Sequence, residues 1–247
     1  MSSEIDLKAF ADQAIRCLEK VEGVYPWLEE PGDIIQCPPS ALCKGDFYVM
    51  GFNPGGAQGK SIRETSEEIP FSAIEDHPPK SPPGSYWPNL SKLAGALDLG
   101  DTWENKLFVT NLFPDCSEDI CKWKGKRSGR PVSDYVEAIW PLHELMLSIV
   151  RPRFIIVSGI SRRGSAFGLL WDRFHPTDTR WDDTMSKVTK GDDPQIKSFS
   201  TSGSSVAKGN PRDRVTFIGI PHLSRYAPKV KVISKLIQSE LAADSTR

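Results

Sequence analysis

The order of elements along this sequence predicts an α/β fold: a three-layer α/β/α sandwich around a central four-stranded, mainly parallel sheet. Three observations carry that reading. Short apolar runs at 47–50, 107–110, 154–157 and 215–220 are separated by stretches of helical periodicity. The runs are apolar on both faces, as strands buried on both sides are. Helices alternate with them, which is the pattern of parallel strands joined by crossovers.

Each element has its own signal. Residues 3–21 carry Ile5, Phe10, Ala14, Leu18 and Val21 as a stripe, with Ser3 and Asp6 placed as a capping box. Residues 26–39, bounded by prolines, read as loop. The run Phe47 to Met50 ends in Gly51, and a Gly-, Pro- and polar-rich stretch covers 51–88. Leu90, Leu93, Ala94 and Leu97 give a short helix over 88–98. The second run ends at Asn111. Residues 133–150 form a helix or two, because Pro141 is expected to kink or restart it. The third run closes at Gly159, and Ser161 is expected to cap a helix to about Trp171. Residues 175–213 are polar and weakly patterned. After the fourth run, Pro228 opens a helix that turns Val230, Ile233, Leu236, Ile237 and Leu241 inward. Residues 1–45 therefore read as a helix-and-loop extension packed on one domain, 46–247.

The bulk composition narrows the function classes. Hydrophobic residues make up 38% and charged residues 26%, ordinary for a globular chain. No apolar run reaches the ~18–20 residues of a membrane span, so no membrane partner is expected. The first residues carry acids and no apolar core, unlike a signal peptide. Five cysteines are an odd count without scaffold density, which predicts a reduced compartment, cytoplasmic or, in a eukaryote, nuclear. The net charge of −1 speaks against nucleic acid only as an average.

That charge is segregated. Residues 1–35 hold eight acids and three bases, 120–165 nine bases and three acids, and 214–240 five bases and one acid. Both basic stretches flank strand ends. Ligands of such sheets sit beyond the carboxyl ends of the strands, so residues just after each strand are the informative ones.

Two familiar motifs fail there. In Gly55-Gly56-Ala57-Gln58-Gly59-Lys60-Ser61 a phosphate loop needs Gly at 54, which is Pro. Gly159-Ile-Ser161-Arg-Arg-Gly164 misses the spacing of a serine-hydrolase elbow by one residue.

Five other stretches fit one pattern in order. They are Gly51-Phe52-Asn53-Pro54-Gly55, Ile69-Pro70-Phe71-Ser72, the proline-rich 78–85, Val109-Thr110-Asn111, and Ile220-Pro221-His222-Leu223-Ser224-Arg225. Together they resemble the uracil-DNA glycosylase superfamily, closest to its single-strand-selective monofunctional and mismatch-specific branches, over about residues 46–240. In the last stretch Pro precedes His222, whereas the family places it after.

The resemblance implies a monofunctional DNA glycosylase of base excision repair. It would hydrolyse the N-glycosidic bond of uracil or a modified or deaminated base flipped out of DNA. Asn53 would position water. A neutral His222, together with the Phe52 amide, would stabilise charge on the departing base. Asn111 would read the base edge through its acceptor and donor, Phe71 would stack on it, and Gly51 would complete the base pocket. Gly55 stands where the most uracil-selective branch has Tyr, which implies tolerance of C5 substituents. The partner would be single- or double-stranded DNA carrying the damaged base. The protein would act as a monomer, with no cofactor.

Lys122, Lys124, Lys126, Arg127 and Arg130, with Trp123 among them, would contact DNA, as would Ser224, Arg225 and Tyr226. Leu223, Arg225 and Tyr226 are candidates to fill the gap left by the flipped base. Some branches carry a four-iron cluster, and Cys37, Cys43, Cys116 and Cys121 stand in the corresponding places at other spacings. They read either as its ligands or as idle thiols. His77, His143 and His175 read as structural. Two alternatives stand beside the main reading: a non-catalytic relative that binds modified bases, and a glycosylase for deaminated purines.

Overall fold

The computed structural model describes residues 6–53, 59–68, 86–117, 123–124, 129–161, 164–176 and 196–245. Its centre is one five-stranded sheet. The strands are β1 (Phe47–Gly51), β2 (Phe108–Asn111), β3 (Phe154–Ser158), β4 (Lys197–Thr201) and β5 (Val215–Ile220). Their order across the sheet is β2-β1-β3-β5-β4, with only the β4–β5 pairing antiparallel. The expected sheet of four strands is corrected to five.

The added strand lies in the weakly patterned stretch 175–213, and only Phe199 of its residues is buried. Its pattern carries little apolar signal because it is an edge. Pairing with β5 and packing of Phe199 on Phe217, with ring centroids 4.6 Å apart, hold it in place.

The helices are α1 (Leu7–Glu19), α2 (Ile62–Glu68), α3 (Tyr86–Ala96), α4 (Val132–Val150), α5 (Ala166–Phe174), α6 (Gly203–Val206) and α7 (Val230–Ser245). α1 packs on α4 and α4 on α5, while α3 packs on α7. Right-handed crossovers account for the division. The β1-to-β2 connection runs one way across the sheet and the β2-to-β3 connection the other, so their helices fall on opposite faces. That is consistent with a three-layer sandwich. Among the described residues, no helix is long and apolar enough to cross a membrane.

Local chemistry sets the helix boundaries. α1 is capped by Asp6, whose carboxylate accepts from the Ala9 amide at 3.0 Å; Ser3 lies outside the described residues. α5 is capped by Ser165, four residues after the expected Ser161. α4 is one helix through Pro141 instead of two. Pro141 is exposed, so the carbonyl it leaves unbonded one turn back is not forced into the core.

The extension is built into this sheet. Ile35 bridges Thr110 and Gly32 bridges Asp115, both antiparallel. The Gln36 amide donates to Val109 O at 2.9 Å, and the Thr110 hydroxyl to Ile34 O at 2.6 Å. Residues 32–36 thereby cover the outer edge of β2, which would otherwise present unpaired backbone. Phe10, Leu18 and Trp27 belong to the same core as the strands.

Candidate functional site

β1 and β2 end side by side, with Gly51 opposite Asn111. Gly is required there: a Cβ at residue 51 would overlap Oδ1 of Asn111. The two chains continue together, with Leu112 N–H donating to Gly51 O and Phe113 N–H to Phe52 O, each at 2.9 Å. Asn111 is 6% exposed, and its Nδ2 is buried with no hydrogen-bond partner among the described residues. A buried amide donor left unpaired costs on the order of 1–3 kcal/mol, so an acceptor brought to it would be worth that much here.

Phe52 turns into the core, with its ring 5.2 Å from those of both Phe113 and Trp123. Asn53 is held by its Nδ2, which donates to Ser117 O at 3.1 Å and lies 3.5 Å from Asp115 O. Because both contacts are carbonyls, the amide orientation is settled and Oδ1 is the acceptor end. Asp115 is fully buried. Its Oδ1 accepts the indole N–H of Trp27 at 3.1 Å and of Trp123 at 3.3 Å.

Beyond β5 the chain makes one turn at 222–226, with Arg225 and Tyr226 amides donating to His222 O at 2.9 and 3.0 Å. His222 Nδ1 faces the Ser224 amide at 3.3 Å and the Ser224 hydroxyl at 2.6 Å. An amide N–H only donates, so Nδ1 is the acceptor and the ring proton sits on Nε2. Burial, and after it the Arg225 guanidinium, push the imidazole below its ordinary value and keep it neutral. The ring approaches Gly159 at the end of β3, where φ is +101°, a conformation that favours glycine.

All these groups stand beyond the carboxyl ends of neighbouring strands. β1 and β5 are two strand spacings apart, about 10 Å, with the end of β3 between them. The order in which successive strands are added reverses between the parallel neighbours β1 and β3, where such sheets open a crevice.

Other expected residues divide. Lys124, Arg130, Ser224, Arg225 and Tyr226 are exposed, Tyr226 by 56%. Trp123, expected to meet nucleic acid, is instead fully buried beneath Phe52. Leu223, expected to fill the gap in a duplex, is buried too. Gly55, Phe71, residues 78–85, Lys122, Lys126, Arg127 and Cys121 lie outside the described residues.

The three described candidate cysteines do not form one ligand set. Cys43 precedes the start of β1 and Cys116 follows the end of β2, which runs parallel to it, so a strand length of about 13 Å or more divides them. Cys37 is buried, and desolvation pushes its thiol up to about 12. Cys43 and Cys116 are thus too far apart to hold one cluster together.

Sequence reasoning missed three side chains that hold this site, Asn89, Asp115 and Ser158, while His143, read as structural, braces the chain after β2. His143 Nε2 donates to Leu112 O at 2.9 Å, and its Nδ1 accepts from Tyr48 at 3.3 Å. Asn89 and His143 each interrupt the apolar stripe of a helix, the one signal that could have found them. No protein-family model matches the chain, and no curated protein matches it.

Proposed function

We propose that this protein is a monofunctional DNA glycosylase acting on a base flipped from DNA. The observation that carries the reading is the buried Nδ2 of Asn111, unpartnered among the described residues, beside the glycine that makes room for its carboxamide. A flipped uracil supplies what this donor lacks: its O4 accepts from Nδ2, and its N3–H donates to Oδ1. Cytosine presents the reverse pattern and would leave buried groups unpaired.

The remaining groups match the needs of hydrolysis. Water attacks C1′ of the sugar as the bond to the base nitrogen breaks. The bonding electrons leave with the base, and the proton that the attacking water gives up is taken, through solvent, by the base anion. Asn53, with its acceptor end set by the Ser117 and Asp115 carbonyls, orients the water without being a strong base. The Nε2–H of neutral His222 donates to the oxygen on which the base carries its negative charge. Arg225, Tyr226, Lys124 and Arg130 supply exposed cationic and aromatic contacts for DNA on the same side.

The test is a panel of single- and double-stranded oligonucleotides, each with one uracil or one modified or deaminated base, treated with wild type and Asn53→Ala. We expect wild type to release at least one base and Asn53→Ala to be roughly 100-fold slower or worse. A wild type as inert as the variant, yet retaining bound DNA, would overturn catalysis in favour of a modified-base binder.

A further inference from the structure

We propose that Asn89 is a positioning residue that sets the tautomer of His222 through a single peptide plane. Asn89 is fully buried in α3. Its Nδ2 donates to Leu223 O at 2.6 Å and to Tyr226 O at 3.1 Å, spanning the turn that carries the imidazole. The Leu223 carbonyl and the Ser224 N–H belong to one peptide unit. That unit is planar and trans, so its C=O and N–H point in opposite directions. Asn89 grips the carbonyl end, and the amide end is thereby aimed at His222 Nδ1.

The plane before it is held as well. Leu223 N–H donates to the Ser158 hydroxyl at 3.0 Å, at the end of β3. Leu223 itself is buried, which seats the turn from below. Asn89 thus ties one face of the sheet to the donor on His222. Without it the 223–224 plane is free to rotate. Nδ1 then loses its obligatory donor, and the ring proton is no longer confined to Nε2.

The proposal rests on the glycosylase reading only for what the Nε2 donor does, so its test reads the imidazole directly. Imidazole-nitrogen NMR of the full chain is recorded for wild type, Asn89→Ala and Asn89→Ser, alongside base release. We expect wild type to show His222 as the Nε2–H tautomer, Asn89→Ala a mixture of tautomers, and base release to fall about 100-fold in Asn89→Ala. Asn89→Ser keeps a shorter hydroxyl donor and should lie between; it carries the test if the alanine variant does not fold. Variants that lose stability but keep the Nε2–H tautomer would overturn the proposal, as would a wild type already mixed. A tautomer change in protein that releases no base supports the positioning role and overturns the glycosylase reading instead.

Discussion

Gly51 and Asn111 share one small volume at the end of two strands. Substituting Gly51→Ala puts a methyl group where the Asn111 carboxamide lies, and that side chain must move. Overpacking of this kind costs about 1–3 kcal/mol. We expect Gly51→Ala to unfold at correspondingly lower urea and to lose base release more than DNA binding. Base release at the wild-type rate would show that Asn111 does not read the base. At this scale the sequence was partly legible. Asn53, Asn111 and His222 stand directly after apolar runs, so their places on the strand ends could be read. Asn89 and Ser158 could not, because their partners lie 134 and 65 residues away.

At the scale of elements, the segment once resembling a phosphate loop has another use. Ser61 and Glu64 form a reciprocal cap at the start of α2, with the Ser61 amide donating to Glu64 Oε2 at 2.8 Å and the Glu64 amide to Ser61 Oγ at 3.3 Å. The Ser61 amide and hydroxyl hold the Glu64 carboxyl below its usual range. Ser61→Ala should lower stability by about 1 kcal/mol, read as a shift in the denaturation midpoint. The other four strands were legible because burial on both faces makes them largely apolar. β4 was not, since an edge strand with one buried residue is specified by its neighbour and not by its own pattern.

Across the whole molecule, His143 links three parts: Tyr48 of β1, α4 on which it sits, and the chain after β2. Burial drives its pKa down to about 4 from the ordinary ~6.5. A pKa depressed in the folded state contributes stability above the unfolded value, and that contribution is lost as pH falls toward the folded one. Two to three units correspond to on the order of 3 kcal/mol, lost between about pH 6.5 and 4. Urea unfolding at pH 7 and pH 4.5 should therefore show a smaller acid loss for His143→Gln, which keeps a donor for Leu112 O, than for wild type. Equal losses would show that His143 is not the group being protonated.

The sequence by itself determined the α/β class, four of five strands, and which residues stand at the strand ends. Those features follow from local periodicity and burial, which a single chain records residue by residue. Only the tertiary structure decided the edge strand β4, the continuity of α4, the burial of Trp123 and Leu223, and the strap of residues 32–36 along β2. It also decided the proton position on His222, because a tautomer is set by whichever donor faces the ring. That donor is held by Asn89, from a helix more than a hundred residues earlier in the chain.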